Sequence, residues 1–89
     1  MFKLWAKTIR HGKLLTDLVI ENDQEGLSRT QKIFAAIETA CGSFDLSVPI
    51  WLDSNISEFK RTSRTRFTQD NFFDAIAIDY LEISVIEED

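Results

Sequence analysis

The stretch FKLWAKTIR, residues 2–10, alternates. Phe2, Leu4 and Ala6 fall on one side, and Lys3, Trp5 and Lys7 on the other. A period of two with aromatic and β-branched residues predicts a half-buried strand. His11-Gly12-Lys13 follows as a tight turn, with Gly12 able to take a positive φ. Leu14 to Glu21 then reads as a second strand, with Leu14, Thr16, Leu18 and Ile20 on one face. Together these make an N-terminal β-hairpin.

After the polar loop Asn22 to Gly26 the period changes. Ser28-Arg29-Thr30-Gln31 fits a capping box, with Ser28 at the N-cap and Gln31 reaching back. Behind it Ile33, Phe34, Ile37, Ala40, Cys41 and Phe44 recur at helical spacing, with Lys32 and Glu38 off the stripe. This predicts the main amphipathic helix, over about residues 29–41, with Gly42 placed to end it in a left-handed turn.

Ile50-Trp51-Leu52 reads as a short buried apolar segment. Asp53 or Ser54 then caps a second helix over about residues 54–62, with Ile56 and Phe59 on one face. Residues 63–68 read as either a short fourth strand or an irregular segment, and Gln69-Asp70-Asn71 as a turn. A long C-terminal strand is expected over 75–86. Its apolar parity changes near Asp79-Tyr80, which implies cover on both faces or a β-bulge. Glu87-Glu88-Asp89 should project into solvent.

The pattern therefore specifies an α+β domain spanning residues 1–89. A small antiparallel sheet is packed against one main helix and a short second helix. The segment 51–72, with Trp51, Phe59, Phe67 and Phe72, should close the open side of the core.

Composition narrows the picture. A chain of 89 residues with 44% hydrophobic residues supports one modest core and lies outside the range of disorder. The lone Cys41 excludes an intrachain disulfide framework, no charged-then-apolar leader opens the chain, and no apolar run is long enough for a membrane span. The expectation is a cytoplasmic protein without a membrane partner. The net charge of −5 argues against a surface that meets nucleic acid everywhere.

Candidate chemistry is sparse. His11 is the only histidine and sits in a turn, while Cys41 lies on the apolar stripe, where a cysteine behaves as a small hydrophobe. One His and one Cys do not make a zinc site of the usual kind. No calcium loop and no phosphate-cradling glycine motif is present. No enzyme, cofactor or metal is expected from this set.

The local exception is KRTSRTR. Lys60, Arg61, Arg64 and Arg66 supply charge, and Thr62, Ser63 and Thr65 supply hydroxyls, a composition suited to phosphate oxygens. The plainer reading is structural. Lys60 and Arg61 complement the helix end, and the acidic C-terminal strand offers carboxylates to Arg64 and Arg66. Ser63, Arg64, Thr65 and Arg66 are what that reading leaves for an anion site.

The segment WLDSNISEFKRTSRTRFTQDNF and the ending AIDYLEISVIEED resemble an uncharacterised family of small single-domain bacterial proteins of about this length. The opening FKLWAKTI, the helix start Arg29 to Phe34, and the connector from Phe44-Asp45-Leu46 to Pro49-Ile50-Trp51-Leu52-Asp53 share in the resemblance. It implies a self-contained bacterial cytoplasmic domain. The family has no assigned activity, so no site residues come with it.

The function expected is a non-enzymatic interaction domain, acting by self-association or by docking on a protein partner. Its candidate interface is the outward parity of the sheet: Trp5 and Ile9 from the first strand, and Leu81, Ile83 and Val85 from the last. The alternative is phosphate or nucleic-acid binding through 60–66.

Overall fold

Two adjacent residues with positive φ, His11 at 54° and Gly12 at 74°, turn the chain back on itself. They join β1 (Phe2–Arg10) to β2 (Lys13–Asn22) in the two-residue hairpin geometry whose twist matches that of the strands. The Gly12 N–H donates to Asp79 Oδ2 at 3.0 Å, which ties this turn to the far end of the chain. The structure, a computed structural model, describes residues 1–88; of the acidic end, Asp89 lies outside the described residues.

The hairpin register pairs Leu4 with Ile20, Ala6 with Leu18 and Thr8 with Thr16. It then shifts between Thr8 and Ile9, so Leu15 is an extra residue on β2. This bulge corrects one expectation. Leu14 stands opposite Ile9, on the other face from Leu18, and is exposed.

Two more strands complete an antiparallel sheet in the order β2-β1-β4-β3, with β3 at Arg64–Phe67 and β4 at Tyr80–Glu87. The short fourth strand is therefore present. The last strand is shorter than its apolar run. Residues 76 and 78 belong to a loop that lays Ile76 and Ile78 against the core from outside the sheet. The parity change near Tyr80 thus marks the start of β4 and not a bulge. The irregularity in β4 lies at Ile86, which is skipped between the pairs Lys3–Glu87 and Leu4–Val85.

Helix α1 (Arg29–Phe44) begins with the expected capping box. Gln31 N–H donates to Ser28 Oγ at 3.1 Å, and Ser28 N–H donates to Gln31 Oε1 at 2.8 Å. It does not stop at Gly42. The left-handed residue is Asp45, at φ 58°, whose N–H closes on the Cys41 carbonyl together with that of Leu46. Its buried stripe is Ile33, Ala36, Ile37, Ala40 and Cys41, and Phe34 is left outside it.

Helix α2 (Asp53–Thr62) is capped by neither Asp53 nor Ser54. Asn55 Oδ1 accepts the Leu52 N–H at 3.1 Å, which holds the chain as it enters the helix. It ends at Ser63, in a left-handed conformation, with Lys60 and Arg61 in the last turn as expected.

Both helices pack on one face of the sheet, α1 over β1 and β2, and α2 beside β3. Between the layers lie Phe2, Leu4, Ala6, Phe59, Phe67, Phe72, Leu81 and Ile83 with the α1 stripe. The aromatic anchors of 51–72 are placed as expected, with Trp51 half-buried and Phe59, Phe67 and Phe72 buried. Ile50 and Leu52 are not. The segment is extended there, so Trp51 turns in and its two neighbours turn out. The fold is thus α+β, with the second face of the sheet bare of helices.

Candidate functional site

The bare face accounts for part of the basic segment. Cross-strand pairing sets Lys7 of β1, Glu82 of β4 and Arg66 of β3 in one row. Lys7 Nζ and Arg66 Nε each lie 2.9 Å from a Glu82 oxygen, and the Glu82 side chain is only 7% exposed beneath them. Burial works to raise the Glu82 pKa, but the bonds from Lys7 and Arg66 outweigh it and hold the carboxyl below its ordinary value. Trp5 and Tyr80 lie under the same cations, Lys7 at 4.0 Å and Arg66 at 4.5 Å from the ring centroids. Trp5 Nε1 donates to Asp17 Oδ2 at 2.9 Å. Long charged stems lie flat across this face, so it is covered without a second layer.

The candidate anion patch is therefore dispersed. Arg66 is committed to Glu82, and Thr65 is fully buried under α2. Ser63 Oγ accepts from Arg29 at 3.2 Å. Arg64 lines a polar depression that it shares with Thr62, Arg66, Glu58 and Glu82. Lys60 and Arg61 are exposed on α2, outside the depression that Arg64 and Arg66 share.

The candidate interface also divides. Leu81 and Ile83 face the helices and are completely buried, and Val85 packs half-buried beside them. They belong to the core because β4 runs between β1 and β3 with this parity turned toward α1 and α2. Neither Leu81 nor Ile83 can serve as an exposed contact. Trp5 and Ile9 are on the outer face as expected, half-buried, with Trp5 enclosed in the ion ladder.

A buried amide network organises the other side of the molecule. Asn55 Nδ2 donates to Thr65 Oγ1 and to the Arg66 carbonyl, both at 2.9 Å. Asn71 Nδ2 donates to Asn55 Oδ1 and to the Ile50 carbonyl, both at 2.7 Å. Asn71 Oδ1 accepts from Thr68 N–H, and Ile50 N–H returns a bond to the Asn71 carbonyl. Two asparagines thus fix the chain before α2, α2 itself, β3 and the turn after it. No buried side-chain polar atom among the described residues lacks a partner.

What this network positions is Trp51. Its ring meets Phe34, Phe59 and Phe67 edge-on, at centroid distances of 6.2, 5.4 and 5.1 Å. Phe67 and Phe59 are buried beneath it, while Phe34 remains 49% exposed. Between α1 and α2 this leaves an apolar groove of about 230 Å³, walled by Phe34, Trp51, Ile56 and Phe59. Arg29 and Lys60 stand on its rim, and no acidic residue lines it. Leu52, Ile50 and Val48, all exposed, continue the apolar character along the connector to Trp51.

The sequence pattern missed this groove because it placed Phe34 on the core stripe of α1 and Ile56 on one face with Phe59. One signal was available. Phe34 widens the α1 stripe beyond the set 33, 36, 37, 40 and 41 that a helix lying on a sheet buries.

The groove is apolar with a cationic edge. Its only charged groups are a guanidinium and an ammonium. His11 is exposed in the hairpin turn, and Cys41 is buried with its thiol pushed up to about 11 by that burial. Among the described residues no group of three or more His, Cys, Asp or Glu is placed to hold a metal ion. Among the described residues no helix is long and apolar enough to cross a membrane. No family model, no curated protein and no solved structure matches the chain.

Proposed function

We propose that this chain is a non-enzymatic protein-interaction domain whose recognition surface is the groove between α1 and α2. The observation that carries the reading is a contrast in charge. The chain has a net charge of −5, yet its apolar groove is lined by two cations, Lys60 and the Glu88-paired Arg29, and by no acid. A partner side chain entering it is apolar, and the residues flanking that side chain are Asp or Glu. Trp51 and Phe34 are the side chains best suited to dominate binding, because aromatic anchors in a water-excluding pocket carry most of an interface's energy. The asparagine network supports the same reading, since it fixes Trp51 before any partner arrives and so lowers the ordering cost of binding.

This moves the interaction surface from the sheet to the helices. Arg64 and Arg66 share their depression with Glu58 and Glu82, and Lys60 and Arg61 stand outside it, which leaves the groove as the better-formed site. A peptide library displayed on phage and selected on the wild-type protein tests the proposal. Enriched sequences should carry an aromatic or large aliphatic residue flanked by acids, and should lose binding to Ile56→Asp. Failure to enrich any peptide that separates the two proteins overturns it.

A further inference from the structure

The molecule carries a feature of complementary shape and charge on another part of its surface. Phe73 is 91% exposed, far more than any other large apolar residue described. Its neighbours explain how it is held there. Phe72 and Asn71 are buried, which fixes the chain on one side. On the other, the Gln69 side chain clamps the loop, donating from Nε2 to the Asp74 carbonyl at 2.8 Å and accepting the Ile76 N–H on Oε1 at 2.9 Å. Phe73 is therefore presented on a loop tied down at both ends. A phenyl ring fully in water forfeits the free energy of burial that an aromatic side chain otherwise gains.

Charge completes the match. Asp70 and Asp74 flank Phe73, both exposed and neither in an ion pair among the described residues. The groove presents the converse, an apolar slot with Arg29 and Lys60 on its rim. Its volume of about 230 Å³ is sufficient for one ring, given that an apolar cavity of about 150 Å³ accommodates benzene.

We infer that the occupant of the groove is a second copy of this chain, entering with Phe73 between Asp70 and Asp74. This rests on the reading of the groove as a docking surface and names its partner. The two patches are different surfaces of one molecule, so the contact is heterologous, of the kind in which an apolar knob on one copy fills a pocket on the next. Lys60, which makes no ion pair among the described residues, is the cation free to meet the incoming carboxylates; Arg29 already holds Glu88 at 2.9 Å.

Sedimentation velocity over a concentration series tests it with four samples. The wild type should associate as concentration rises. Phe73→Ala and Ile56→Asp, each substituting an exposed side chain, should sediment as monomers with unchanged circular dichroism. An equimolar mixture of the two variants should associate again, because one supplies an intact groove and the other an intact Phe73. If Ile56→Asp disturbs folding, Phe34→Ala replaces it as the groove variant. A wild type that stays monomeric at every concentration, or a Phe73→Ala chain that associates like the wild type, overturns the inference. Peptides recovered in the phage selection that still bind a monomeric wild type would show that the groove docks a different partner, which separates failure of this inference from failure of the groove itself.

Discussion

Arg66 reaches across from β3 to place Nε 2.9 Å from Glu82 Oε1, on a sheet face that carries no helix. This single contact decides how the basic segment is read. Four cations in KRTSRTR look like a site in the sequence, but one of them is a structural member of the sheet. Lys7 meets the same carboxylate from the opposite strand, so Glu82 is the centre of a three-residue ladder.

The ladder predicts a pH dependence. The Glu82 pKa is lowered in the folded chain relative to its ordinary 4.5. Its contribution to stability is therefore fully present above that value and is lost as pH falls through the lower, folded pKa. Glu82→Gln should lower stability at pH 7 by about 1–3 kcal/mol and flatten the acid limb of the urea-midpoint profile. An unchanged acid limb would contradict the role given to this carboxylate.

Asn55 should be the most sensitive polar position. Its truncation to Ala removes the bonds to Leu52 N–H, Thr65 Oγ1 and the Arg66 carbonyl, and one of the two made by Asn71 Nδ2. The expected loss is about 3 kcal/mol, since each unpaired buried group costs about 1–3 kcal/mol. Urea denaturation measures it directly. A companion reading is available in the native state: loosening of this network should release Trp51, seen as a red shift of its emission in a Trp5→Phe background.

Gly42 lies inside α1 and not at its end, and a Cβ built there meets nothing within 4 Å. Gly42→Ala should therefore stabilise the chain by about 0.5–1 kcal/mol. Had Gly42 been the left-handed cap that the sequence suggested, the same substitution would destabilise. Thermal denaturation distinguishes the two by sign alone.

Cys41 should be inert while the chain is folded. Its thiol is buried and pushed up from 9.0 to about 11, so it remains protonated at neutral pH. A chromogenic disulfide reagent should label it only at the rate of unfolding. The same burial makes its stability contribution full below pH 9.0 and lost as pH rises toward about 11, a loss that Cys41→Ala should not show.

How far the sequence led depends on what each residue answers to. The hairpin, the Ser28 capping box and the helix α1 were legible because they rest on short-range signals: alternation, a turn glycine and a Ser-x-x-Gln box. The aromatic anchors of 51–72 were legible because a small core needs its large rings. The Leu15 bulge and the late start of β4 were not, since both are set by pairing with β1. Leu81, Ile83 and Val85 were assigned to an outer face because parity within one strand does not say which side the helices take. The groove was hidden for a related reason. Phe34 and Ile56 lie at helical spacing with buried neighbours, and only the separation of α1 and α2 leaves them open. Asn55 and Asn71 carried no sequence signal, because their partners lie as far as 21 positions away.

The most direct test of the central claim is a concentration series of amide correlation spectra on isotope-labelled protein. Shifts growing with concentration should fall in two places: around Arg29, Phe34, Trp51, Ile56 and Lys60, and in the loop from Asp70 to Asp74. Shifts centred instead on Trp5, Lys7, Ile9 and Tyr80 would return the interface to the open face of the sheet and contradict it.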